Sequence, residues 1–193
     1  MATDRKDAGA IARARQSAVP VAIMDVASRT DGLGALLAAH DITHIALAGY
    51  IRFVPTDVTA SFRGRIVNIH PALLPAFGGP GMYGQRVHVA VRAAGVTVTG
   101  ATVHFVDAAY DHGPIIAQWP VPVFPDDSAD DIARRVLDVE HALYPRVVHD
   151  VATGRITLGS DDCVQGRPAP KLPFFSLRDA PALPDDLLDP PAS

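Results

Sequence analysis

The chain has 193 residues, 48% hydrophobic and 20% charged, which is enough apolar material for one core of ordinary globular size. A formal net charge of -4 leaves no basic stripe to track a phosphate backbone, so neither nucleic acid nor a membrane surface is an expected partner. Cys163 is the only cysteine, which excludes an internal disulfide and a multi-cysteine zinc site and suits a reducing cytoplasm; the mixed-charge start and the lack of a span-length apolar run point to neither leader nor membrane segment.

Lys6 to Gln16, rich in Ala and Arg, is predicted as a helix, and Val19 to Met24 as a buried strand. The pair repeats with a helix over Gly32 to His40 and a strand over Ile42 to Ala48. Asp57 to Phe62 reads as a short helix and Arg65 to Ile69 as another β-branched strand. Such alternation predicts α/β architecture with a mostly parallel sheet covered on both faces. After Pro75 the run Phe77 to Gly84 holds four glycines and a proline, the chemistry of a functional loop. Val87 to Ala94 is predicted as a helix, and Val96 to Val106 and Pro114 to Val123 as an antiparallel strand pair. The last helix carries the strongest signals: Ser128 and Asp131 resemble a capping box, and Ile132, Val136, Val139, Leu143 and Val147 form one stripe, with Pro145 expected to kink it. Residues 1–157 are assigned to the domain and 158–193, dense in proline and acidic residues toward their end, to an extended tail.

Asn68 and His70 lie two residues apart on a strand that Pro71 and Pro75 terminate, hence on one side of it and near its carboxyl end, where open α/β sheets bind ligands. Asp111 closes a tight turn before an apolar strand and is able to reach His70, although an Asp before Gly-Pro is commonly only a turn former. His88, His112 and His141 show no metal-ligand grouping and read as solvated or locally hydrogen-bonded; His104 reads as structural, and Cys163 receives no function.

Four ordered segments carry a resemblance to the glycinamide ribonucleotide formyltransferases, with formyltetrahydrofolate hydrolases and methionyl-tRNA formyltransferases as more distant relatives. LAGYIRFVP, VNIHPALLPAFGG, GATVHFVDAAYDHGPIIAQ and VEHALYP are similar to that family's segments in the same order. A string such as Asn-x-His-Pro-x-Leu-Leu-Pro arises by chance in roughly one in 10⁵ chains of this size, so the resemblance is specific.

The resemblance implies a Rossmann-like formyltransferase fold and transfer of a formyl group from 10-formyltetrahydrofolate to the amine of glycinamide ribonucleotide, in purine biosynthesis and without a metal. It implies a catalytic trio in which Asn68 binds the formyl oxygen, His70 is the general acid and Asp111 pairs with it and raises its pKa. Folate is expected against Ile51, Arg52, Phe53, Val54 and Asn68 and the Asp107, Ala108, Ala109, Tyr110 and Asp111 loop, and the amine substrate against Glu140. Bottom-up, Arg52 needs solvent or an anionic partner after its apolar strand.

The sequence departs from the family pattern at its start, where the first strand, a glycine-rich phosphate loop, the first helix and most of the second strand have no counterpart. Loss of a central strand leaves unpaired edges, so poor stability or self-association and weak ribonucleotide binding are expected. The glycine-rich loop is also longer than the common form. Two alternatives follow: a formyltetrahydrofolate hydrolase, disfavoured because HPALLP differs from those proteins' His-His-Ser-Phe-Leu-Pro, and a non-catalytic folate-binding remnant.

Overall fold

The computed structural model describes residues 1–24 and 31–166. In chain order it contains β1 (Ala2–Thr3), α1 (Gly9–Gln16), β2 (Ala22–Ile23), α2 (Asp31–Ala39), β3 (Ile45–Leu47), α3 (Thr56–Ser61), β4 (Ile66–His70), α4 (Gln85–Ala93), β5 (Val98–Phe105), β6 (Ile115–Pro122), α5 (Ala129–Ala152), β7 (Thr157–Leu158) and β8 (Val164–Gln165). The predicted alternation is therefore present, with α/β layering and a long last helix.

The main sheet has the order β3-β4-β5-β6, with β3 parallel to β4 and the remaining pairs antiparallel. A second parallel pair, β1 with β2, lies outside it. Adjacent residues of β4 serve opposite faces, as a period of two requires. Ile66 packs with Leu37 of α2 and with Val54 and Val58 around α3. Val67 instead joins Val103, Phe105 and Ile116 against Val147 and Val151 of α5. Toward the other end of α5, Ile132 and Val136 meet Val87 and Val91 of α4 over Ala101 and Val121. Each such buried aliphatic side chain contributes about 1.5–3 kcal/mol relative to exposure.

The start of α5 is set as its sequence predicts. Asp131 donates its backbone N–H to Ser128 Oγ at 3.1 Å while its carboxylate accepts from the Ser128 N–H at 3.0 Å, a reciprocal capping box. Tyr144 anchors the far half, its hydroxyl proton shared between the carbonyls of Leu47 at 2.7 Å and Val67 at 3.0 Å, so one side chain ties α5 to β3 and β4.

Two expectations fail here. Val19 to Met24 is not a buried strand: only Ala22–Ile23 pairs, and Val19 and Ile23 are 43% and 47% exposed. Burial of a strand depends on what covers it, and among the described residues β2 pairs with β1 alone. Residues 158–165 do not read as tail either: they form the β7–β8 hairpin, where Leu158 packs on Gly64 and Gly159 accepts from Arg63 at 2.8 Å. The segment 167–193 lies outside the described residues.

Candidate active site

The strand β4 delivers Asn68 and His70 to its carboxyl end, and the Pro71–Leu74 turn behind them is fixed by Thr102. The Thr102 hydroxyl donates to the Ala72 carbonyl at 2.7 Å and accepts from the Leu74 N–H at 3.0 Å. Across the sheet, Asn68 pairs in register with His104. The Phe105 carbonyl accepts a hydrogen bond from His104 Nδ1–H at 2.8 Å, so Nε2 carries a lone pair and accepts from Asn68 Nδ2 at 3.2 Å. One amide hydrogen of Asn68 is thereby committed, and the orientation of the group is set. His104 thus does more than fill space, a role its place on an apolar strand did not reveal.

His70 is 3% exposed and lies between two acceptors. Its Nε2 donates to the Phe77 carbonyl at 2.8 Å, and its Nδ1 lies 3.5 Å from Asp111 Oδ2. Asp111 also comes within 3.8 Å of His104 Nε2 and accepts the Gly79 N–H at 2.9 Å. The glycine-rich loop is therefore stapled to both partners, through Phe77 to His70 and through Gly79 to Asp111. At Gly78 between them a side chain would be crowded, since a Cβ there would stand 2.5 Å from Leu74 Cδ2 and 3.3 Å from Asp111 Cβ.

The expected rise in the His70 pKa does not occur. Burial pushes it below the ordinary 6.5 and outweighs Asp111 and the Phe77 carbonyl, both of which favour the charged ring. The 3.5 Å separation fits this, being too long for a good hydrogen bond to a protonated Nδ1. At rest the ring is neutral, with its proton on Nε2. Burial likewise lowers the His104 pKa, which keeps Nε2 free to accept from Asn68.

The turn holding Asp111 is built by Asp107, whose carboxylate accepts from the Ala109 N–H at 2.9 Å and from His112 Nδ1 at 3.0 Å. Asp111 itself adopts a left-handed φ of 53°, and Gly113 is required because a Cβ there would meet the Phe105 carbonyl oxygen at 2.0 Å. The Asp-x-Gly spacing is thus a packing requirement that places the carboxylate.

Two cavities meet at this constellation. The larger, about 720 Å³, runs between the glycine-rich loop, Ala48 to Ile51 and the α5 face that carries Glu140; the smaller, about 50 Å³, lies between Arg52 to Val54 and the 107–111 turn. Asn68 and Asp111 line both, as do Tyr50 and Tyr110, while His70 lines the larger. Of the residues expected to hold folate, Arg52, Phe53, Val54, Asp107 and Ala109 line only the smaller recess, Ile51 lines the larger cavity, and Ala108 lines neither. Phe53 and Tyr110 pack edge to face at 5.4 Å. Arg52, expected to need solvent or an anionic partner, has both: its side chain is 45% exposed and pairs with Asp4 at 2.8 Å.

Glu140 stands on the larger cavity's α5 wall, and among the described residues it makes no hydrogen bond or ion pair; burial raises its pKa to about 7. His112 is bonded within its turn as expected, but His88 is buried with its Nδ1 unpartnered among the described residues, contrary to the expectation of a solvated or locally bonded ring.

A sheet edge that gathers an amide, a neutral imidazole and a carboxylate beside one ligand-sized cavity and a small recess defines a class, and comparison names it: residues 1–148 match the model described as Formyl transferase, and the chain belongs to that family. Within the family it is similar to the phosphoribosylglycinamide formyltransferases. It is 41% identical over 168 residues to the chloroplastic enzyme of that name from Arabidopsis thaliana, covering 83% of this chain and 58% of the relative. To the Haemophilus influenzae enzyme it is 33% identical over 162 residues, covering 81% and 74%. The Anaplasma phagocytophilum phosphoribosylglycinamide formyltransferase structure superposes with a TM-score of 0.76 at 32% identity, covering 85% of this chain and 78% of that one. The chain thus spans little more than half the length of the Arabidopsis relative.

Proposed function

We propose that this chain transfers the formyl group of 10-formyltetrahydrofolate to the primary amine of glycinamide ribonucleotide. The observation that carries the reading is that Asn68 and Asp111 line both cavities, so that ligands entering from either side meet the same side chains. Folate approaches from the side of the smaller recess, which at about 50 Å³ admits only an edge of the pterin against Phe53, Val54 and the 107–111 turn, and the amine substrate takes the larger cavity beside Glu140.

The amine nitrogen attacks the formyl carbon and charge gathers on the formyl oxygen. The second Nδ2 hydrogen of Asn68, free because His104 holds only the first, donates to it. A donor so placed is worth about 3–4 kcal/mol in the transition state. The new C–N bond leaves a proton in excess on the amine. His70, neutral at rest with Nδ1 open toward Asp111, takes that proton directly or through water, and the His70–Asp111 pair passes it to N10 of the folate as the C–N10 bond breaks. Such proton transfer contributes roughly 10²–10⁴ in rate. Glu140, with its pKa near 7, is suited to hold the amine or accept its proton in the same pH range. A cytoplasmic setting is part of this reading, supported by the lone exposed cysteine, whereas the Arabidopsis relative is named for the chloroplast.

The test is tetrahydrofolate release from 10-formyltetrahydrofolate with and without glycinamide ribonucleotide. Amine-dependent release is expected. Release that ignores the amine would make the protein a hydrolase, and no release at all would leave it a binding protein.

A further inference from the structure

His88 sits in the first turn of α4, behind the glycine-rich loop, and is 5% exposed. Its Nδ1 is sealed from solvent with no hydrogen-bond partner, and among the described residues neither ring nitrogen makes a hydrogen bond or ion pair. Native proteins seldom leave a buried polar group so, and an unpaired N–H is rarer still than an under-used acceptor. Nδ1 therefore carries the lone pair and the proton sits on Nε2. Burial, with His70 nearby, keeps the ring in this neutral form. The side chain lines the larger cavity and takes no part in the smaller. Among the described residues no lysine or arginine lines that cavity, so of these only neutral N–H donors are left to recognise a ligand oxygen there.

We propose that His88 is a further substrate-contacting residue, donating Nε2–H to an acceptor oxygen of the amine co-substrate in the larger cavity. The inference rests on the reading of that cavity as the amine site. It explains why an imidazole occupies a helix position flanked by Val87, Val91 and the α4–α5 core, where leucine would pack without a polar atom to satisfy.

Two variants separate contact from packing. His88→Leu removes the donor and the unsatisfied nitrogen together, and His88→Gln keeps a donor. For His88→Leu without ligand, the melting temperature should equal or exceed that of the wild type. Its KM for glycinamide ribonucleotide should rise roughly tenfold, the effect of losing one neutral hydrogen bond, with the KM for 10-formyltetrahydrofolate unchanged. His88→Gln should recover most of that loss. Calorimetric titration of glycinamide ribonucleotide into wild type and both variants gives the same comparison without turnover. A wild type that binds the ribonucleotide but shows no turnover defeats the proposed reaction and leaves the contact measurable. The contact itself is overturned if His88→Leu binds the ribonucleotide like wild type, if Leu and Gln lose affinity equally, if both substrates' constants rise with a lowered melting temperature, or if wild type binds none.

Discussion

Asn68 and His104 stand opposite each other across the β4–β5 register and are joined side chain to side chain at 3.2 Å. The bond needs an unprotonated Nε2, which the Phe105 carbonyl secures by occupying the other nitrogen. His104→Leu keeps the site filled but releases the Asn68 amide to rotate. We expect kcat to fall about tenfold or more with KM values little changed, against roughly 10²–10³ for Asn68→Ala. Steady-state kinetics on both variants checks this, and a His104→Leu enzyme with wild-type kcat would show that Asn68 is oriented by other groups.

Asp111 does two jobs that one pair of substitutions can divide. Asp111→Asn keeps an oxygen to accept the Gly79 N–H but removes the charge beside His70, whereas Asp111→Ala removes both. Both should lose roughly 10²–10⁴ in kcat. Only the alanine variant should also lose about 1 kcal/mol of stability, since it strands the loop amide. Urea unfolding alongside turnover decides the matter; equal stability of the two variants would mean the Gly79 bond contributes nothing.

Gly78 is where loop and carboxylate come closest. A methyl group there would press on Leu74, which is 5% exposed and has little room to retreat, and on Asp111. Gly78→Ala is expected to cost about 1–3 kcal/mol and to depress kcat by moving Asp111 off His70. Unfolding midpoints and kcat measured together test both halves. Lost stability with intact turnover would confine the strain to Leu74.

Stability should fall on mild acidification. Burial lowers the pKa of His70, His88 and His104 from 6.5, so the unfolded chain takes up protons through that pH that the folded one refuses. Each ring's contribution is complete above 6.5 and is lost as pH drops toward its folded value, at up to about 1.4 kcal/mol per pH unit. Glu140 acts in the opposite sense: raised from 4.5 to about 7, it stabilises fully below 4.5 and loses that contribution as pH rises through about 7. From pH 6.5 downward three rings act against one carboxyl, and His88→Leu should flatten the slope. Unfolding curves below that pH test the prediction; stability that climbs toward acid would refute it.

The sequence already spelled out α5, because its cap and stripe are local patterns: Ser128 and Asp131 bond as their spacing predicts, and Ile132, Val136 and Val147 are buried. Strand parity likewise put Asn68 and His70 on one side of β4. The burial of Val19 to Met24 was not legible, since an apolar run does not say how many strands will flank it. Nor was the direction of the His70 shift: the carboxylate was visible in the lettering, but the desolvation that overrides it is a property of the packed site. His88 left a faint cue, a titratable residue between Val87 and Val89 in an amphipathic helix, which spacing alone could not distinguish from a surface ring.

Phe77 faces two ways. Its carbonyl holds the His70 proton, while its ring packs with the α4–α5 cluster around Val87 and Ile132. Proton affinity at the reacting edge is thereby coupled to the fit of aliphatic side chains that no ligand touches. Loosening that cluster, as Ile132→Val would, is therefore expected to reach the imidazole through the Phe77 backbone as well as to lower stability.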